Sequence, residues 1–396
     1  MKKVSLWRRL GTRYQIIIVC TLVVALVASV AAIIQAERAG RSSHGELPFV
    51  LIPPTPFPEA VLPEWEYDFE DFLFDSRPIS LLTGLPVDEE NLTRRPIAAV
   101  INNSLGALPQ SGVAHADIIY EVLAEGTTTR LIGVFQTSVP EKIGPIRSAR
   151  DYFVDFALNH DAFFVHHGGS PTGYERIRNL LGINAVDGMS FEGTVFWRDR
   201  SFPYWANTTA RRALEHSSFT GRHELFEHIE SKNIRDYFGG ERYGFLFGGL
   251  TAASGRVHSN VSKVVIPFST AASTIFELDD ATGMYKVSHR EGPWLDEITQ
   301  SQVSVANVLI QHTGIRVVDN VGRRNVTTVG SGTGYLVRNG QAFSVVWEKS
   351  CHTSPTQWFF VDGNPVVLAP GRTWINVIQT YTEVEFASGI GEQYGI

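Results

Sequence analysis

The chain has 396 residues, 43% of them hydrophobic and 19% charged, and its 34 Lys and Arg against 41 Asp and Glu give a formal net charge of −7. That acidity argues against a polyanion-coating surface such as a nucleic-acid binder and leaves room only for a local basic cleft. Two cysteines, Cys20 and Cys351, are too few for a disulfide framework.

Residues 1–13 carry Lys2, Lys3, Arg8, Arg9 and Arg13 and no acid, and Ile16 to Ile34 is an apolar run broken only by Thr21 and Ser29. About 20 helical residues cross a bilayer. We therefore expect a basic cytoplasmic tail over 1–13 and a single transmembrane signal anchor over 14–36, with the body extracytoplasmic at a bacterial cell membrane. A cleaved signal peptide is the alternative, because Ala28 to Ala32 offers small residues; the long apolar run favours an uncleaved anchor. Ile18 and Val19 stand where a lipid-acceptor Cys20 would want small residues. Beyond the tail, 29 Lys and Arg face 41 acids, a net of −12. Residues 37–77 hold six prolines from Pro48 to Pro63 and then the acidic-aromatic EWEYDFEDF, which reads as an extended stalk.

The remaining residues are too many for one comfortable core and suit two domains, an α/β domain over 78–254 and a mainly antiparallel β domain over 255–396. In the first, Ile97–Ile101, Ile118–Glu125 and Thr129–Gln136 read as strands, and Arg211–Glu215 and His223–Ser231 as helices. Asp117, Glu121 and Glu125 recur every fourth residue, but their β-branched and aromatic neighbours favour a strand, with the acids at turns and edges.

The chain from Gly144 to Pro171, GPIRSARDYFVDFALNHDAFFVHHGGSP, is the densest stretch. Ser148 followed by Asp151 suggests a capping box. Ala149, Phe153, Phe156 and Ala157 then mark one apolar helix face. Ala162–Val165 reads as a buried strand, Gly168-Gly169 as a turn, and Ser170-Pro171 as the cap and first residue of a second helix reaching about Leu181. If the strands before these helices are parallel neighbours, both helix starts meet at the carboxyl edge of one sheet, where open α/β sheets place ligands. Arg147, Ser148, Arg150, His166, His167 and Ser170 would then line an anion-binding crevice. Singly each has an ordinary structural role, as a cap, a surface ion pair or a core histidine. Together they favour a binding site.

The second half yields short strand-like runs from Ser262–Phe268 to Trp374–Ile378, with hairpin markers at Asn339-Gly340 and Asp362-Gly363-Asn364. Gly330-Ser331-Gly332-Thr333-Gly334 lacks the following helix of a phosphate loop and reads as a hairpin or bulge. Cys351-His352 is poor evidence for a thiol enzyme, since a nucleophile and its base must meet in space. Neither HExxH, a Walker loop, a GxSxG elbow nor a dinucleotide fingerprint is present. His166 and His167 fall on opposite faces of a continued strand, so no metal site and no cofactor is expected.

RPIAAVINN (95–103), PQSG (109–112), ADIIYE (116–121), IGPIRSAR (143–150) and HHGGSP (166–171), continued by NVLIQ, GSGTGY and PGRTWI, resemble the signature blocks of the YerB-like putative lipoprotein family of bacteria. The resemblance covers nearly all of the body and implies a two-domain envelope protein of unknown function, without catalytic residues to carry over. The chain departs from the lipoprotein pattern in lacking a lipid-acceptor cysteine. The expected function is a non-catalytic binding protein or scaffold for an anionic cell-wall component or a protein partner. The alternative is a hydrolase or transferase acting on wall polymer, with His166 or His167 as base and Asp151 or Glu121 orienting it.

Overall fold

The structure is a computed structural model that describes residues 76–388 apart from 181, 241–242, 250–255 and 291. The expected tail, membrane anchor and stalk up to residue 75 lie outside the described residues, as does the expected boundary at 254/255. No helix among the described residues is long and apolar enough to cross a membrane. The described residues form one compact unit.

The first half supplies strands β1 (Ile97–Asn102), β2 (Ile118–Glu125), β3 (Thr128–Phe135), β4 (Phe163–His166) and β5 (Ala185–Asp187), with helices α1 (Asp151–Leu158), α2 (Pro171–Asn179) and α3 (Arg222–Ser231). The second supplies β6 (Val261–Pro267), β7 (Ser273–Asp279), β8 (Met284–His289), β9 (Asn307–Thr313), β10 (Gly330–Arg338), β11 (Gln341–Lys349), β12 (Gln357–Phe360) and β13 (Thr373–Gln379). One large sheet runs β12-β11-β10-β9-β13-β2-β3-β1-β4-β5. A smaller antiparallel sheet is built on β6, β7 and β8.

The two halves are thus joined by hydrogen-bonded strands. β13 pairs in parallel with β2 on one side and with β9 on the other. Burial accounts for these parallel pairings within a mostly antiparallel second half: six of the seven β13 residues are buried, as in a strand covered on both faces. Buried side chains form two clusters, one on each face of the large sheet, and each draws on both halves. One face of the sheet packs Ile97, Ile119, Phe163 and Trp374 against α3 and the small sheet; the other packs Val100, Tyr120, Phe164 and Ile375 against α1.

Pairing directions put the carboxyl ends of β1, β2, β4, β5, β9 and β13 at the same edge. Glu121 is a buried interior residue of central β2 and not the turn or edge acid expected, whereas Asp117 does stand in the bend before that strand, buried. α1 buries all eight of its residues, more than the single apolar face read from its spacing, because α2 closes over the side turned away from the sheet. Arg211–Glu215 is not a helix. Arg212 N–H donates to the Arg200 carbonyl at 2.8 Å, so the segment starts by bonding to a distant part of the chain, and only Leu214–His216 turns, as a 3-10 element. The GSGTGY glycines lie in strand β10, where a Cβ on Gly334 would come within 2.0 Å of the Ile310 carbonyl oxygen across the ladder.

A crevice at the carboxyl edge

Residues 143–149 do not coil but run extended across the end of β1. Arg147 N–H donates to the Val100 carbonyl at 2.8 Å and Ile146 N–H to that of Ser218 at 2.6 Å. The chain then lies alongside the turn after β4, with His167 N–H to Arg147 O at 3.0 Å, Ala149 N–H to Gly168 O at 2.9 Å and Ser170 N–H to Ala149 O at 3.1 Å. This pairing delays α1. Its N-cap is Arg150, with no side-chain cap, so the Ser148–Asp151 capping box does not form. Ser170 does cap α2, accepting from Gly173 N–H at 3.0 Å with Pro171 in the first turn.

The two helix starts therefore meet at the carboxyl edge, but not by the expected route. β3, the strand before α1, lies antiparallel to β1 and is separated from β4 by it. The parallel strands that form the edge are β1, β4 and β5.

Of the six residues expected to line the crevice, three are occupied by the fold. Arg150 is ion-paired with Glu125, which also receives Arg130 at 2.8 Å. Ser170 is the cap. His166 is 2% exposed, and its Nδ1–H donates to the Gly168 carbonyl at 2.8 Å. Burial lowers its pKa, with Asp187 opposing. His167 points to the other side, as expected of adjacent strand residues. Arg198 Nη2 can only donate, so His167 Nε2, 3.1 Å away, accepts, and Nδ1–H donates to Ser218 Oγ at 2.7 Å. Burial and then Arg198 lower the His167 pKa, leaving it neutral near pH 7. Neither Asp151 nor Glu121 hydrogen-bonds a histidine among the described residues. Asp151 faces Thr172 and Arg176, and Glu121 accepts from Asn103, Thr129, Thr274 and Trp374. The orienting groups of the enzymatic alternative are therefore absent from its histidines.

Arg147 and Ser148 remain. Arg147 Nε is buried without a hydrogen-bond partner, and among the described residues no carboxylate lies within ion-pair distance of its guanidinium. Burial lowers the Arg147 pKa; Glu215, its nearest charge partner, opposes that without pairing.

Sequence reading missed the groups around it. His216 Nδ1 accepts from Asn102 Nδ2 at 2.7 Å, which places the proton on Nε2, and Arg147 is close enough to help burial lower its pKa while Glu215 opposes. Arg130 donates to Ser148 O at 2.9 Å. Asp187 fixes the floor. Burial alone would raise its carboxyl, but Gly168 N–H at 2.7 Å, Met189 N–H at 3.0 Å and Tyr174 O–H at 2.7 Å hold it below the usual range. The only sequence trace of these groups was position, since Asn102 ends a strand block and Asp187-Gly188 follows a short apolar run.

Two family descriptions match the chain: the N-terminal domain of a protein of unknown function (DUF3048) over residues 82–235, and the C-terminal domain of the same family over 264–375. The chain is 29% identical over 320 residues to a Bacillus subtilis (strain 168) protein named "Putative lipoprotein YerB", covering 78% of this chain and 89% of that one. The crystal structure of the YerB protein from Bacillus subtilis superposes with a TM-score of 0.67 at 29% identity, covering 79% of this chain and all of the other. Both regions agree with the observed α/β first half and mostly β second half. The chain belongs to the YerB-like DUF3048 family of proteins of unknown function.

Proposed function

We propose that this protein is a non-catalytic binding protein of the cell envelope that captures an anionic group, phosphate or carboxylate, on Arg147. The observation that carries this reading is the half-buried Arg147 guanidinium, whose Nε has no hydrogen-bond partner and which has no ion pair among the described residues. A buried cation is costly unless paired, and an anion in the crevice would supply the missing partner. The His216 Nε2–H, close enough to Arg147 to feel its charge, adds a donor. The ligand class is an anionic cell-wall component or an acidic partner protein rather than a nucleic acid, given the net charge of −7. The lipoprotein label of the Bacillus relative and the apolar run at 16–34 support an extracytoplasmic place at the membrane.

The test is thermal unfolding of the body from Leu62 with inorganic phosphate and with a poly(glycerol phosphate) polymer. A ligand at 100 times its dissociation constant adds about 2.7 kcal/mol of stability. Stabilisation that disappears in Arg147→Ala supports the crevice; stabilisation that survives the substitution removes Arg147 from the site.

A further inference from the structure

A second feature projects from the same carboxyl edge. Residues 314–327, GIRVVDNVGRRNVT, leave the end of β9 as a hairpin, with Ile315–Val317 paired antiparallel to Arg324–Val326. Its base is fixed. Ile315 and Val326 face each other and pack into the core on the α1 side of the sheet, and Ile315 N–H donates to Gln379 Oε1 at 2.8 Å. Gly126 N–H reaches Gly322 O at 3.3 Å, and Arg324 Nη2 reaches Gly126 O at 2.6 Å.

The tip is apolar. Val317, Val318 and Val321 are 52%, 53% and 61% exposed, a cluster of branched hydrocarbon that a solvated turn does not need. Charge around it is positive. The segment holds Arg316, Arg323 and Arg324 against Asp319 alone, a net of +2 within a chain of net −7. Asp319 is consumed inside the turn, accepting from Val321 and Arg323 N–H and pairing with Arg323 at 2.9 Å. Arg316 is exposed and has no ion pair among the described residues.

We infer that this hairpin docks the body onto an anionic lipid surface, its valines entering the interface and Arg316 meeting headgroup phosphates. Apolar side chains flanked by arginine are the chemistry of shallow interfacial insertion, and each basic residue near an anionic leaflet strengthens attachment. The sequence supplies proximity, because the roughly 40 residues between the apolar run and the described body span at most about 140 Å when fully extended. The inference goes beyond the crevice reading and does not rest on it.

The experiment is flotation of the body from Leu62 with vesicles of phosphatidylglycerol and phosphatidylcholine, against vesicles of phosphatidylcholine alone. Docking predicts binding to the anionic vesicles that weakens with salt, falls about fivefold in Arg316→Ala and is lost in Val318→Asp and Val321→Asp. Absence of flotation overturns the inference, as does binding indifferent to the hairpin variants. Vesicle binding lost only in Arg147→Ala would make the lipid a ligand of the crevice and overturn the hairpin. Dimers broken by Val321→Asp, without flotation, would assign the tip to a second copy of the chain instead.

Discussion

Arg147 and Arg150 stand three residues apart on one turn of sequence, and the fold uses them in opposite ways. Arg150 is buried against Glu125 and also donates to the Ala149 carbonyl at 2.5 Å, so its removal strands a carboxylate that Arg130 alone must hold. We expect Arg150→Ala to cost about 2 kcal/mol in urea unfolding. Arg147→Ala should stay within about 0.5 kcal/mol of the parent, since it removes no partnered group. Equal losses in the two variants would mean that Arg147 has a structural partner after all. His216 offers a second residue-scale test. Burial, with Arg147 helping and Glu215 opposing, lowers its pKa, and an anion beside it would favour the imidazolium, so binding takes up a proton. Affinity should rise as pH falls below neutrality, and His216→Gln should flatten that profile in titration calorimetry.

At the scale of elements, the turn after β5 holds the His167 ring in place. Gly188 passes so close to His167 that a Cβ there would stand 2.2 Å from Nδ1. Gly188→Ala must push the imidazole off Ser218 and Arg198, and we expect weaker anion binding with a visible shift of the His167 ring resonances; an unmoved ring would show that the turn itself gives way. α1 has no solvent side to absorb change, and Phe153→Ala should cost about 3–5 kcal/mol. Existence and type of most of these elements were legible in the sequence, because alternation in the second half and the run Ile118–Glu125 follow from what each strand buries. Partners were not. The extended path of residues 143–149 has no periodicity, since its hydrogen bonds go to β1, to Ser218 and to the turn at 167–170, and that is why Ser148 reads falsely as a cap. His216 and Asn102 stand 114 residues apart and meet only through the fold. An arginine in sequence likewise carries no mark of whether a carboxylate waits for it.

On the scale of the whole molecule, Glu121 is where the halves are joined. It comes from β2, yet Thr274 Oγ1 at 2.8 Å and Trp374 Nε1 at 3.2 Å reach it from the second half, while Thr129 at 2.8 Å and Asn103 at 3.2 Å reach it from the first. No cation accompanies it among the described residues, and burial pushes its carboxyl up to about 7, with Thr274, Thr129 and Trp374 opposing. Asp117 shows the same direction, raised to about 6 by burial against its hydrogen bonds from Thr137 and Gln136. A carboxyl with a raised pKa in the folded state binds its proton more tightly there than in the unfolded chain. The stability so contributed is complete below the ordinary carboxylate pKa and is lost as pH rises through the folded value. The body should therefore lose stability between about pH 4.5 and 7 through Glu121, and the loss should fall on the joint between the halves. Glu121→Gln sharpens the test. The amide nitrogen faces donors and costs about 1–2 kcal/mol at any pH, but it cannot titrate. Denaturant unfolding at pH 5 and pH 7 should show a smaller difference for the variant than for the parent; an undiminished difference would mean that the four donors keep Glu121 ionised throughout, and that the joint is held by a buried carboxylate rather than a carboxylic acid.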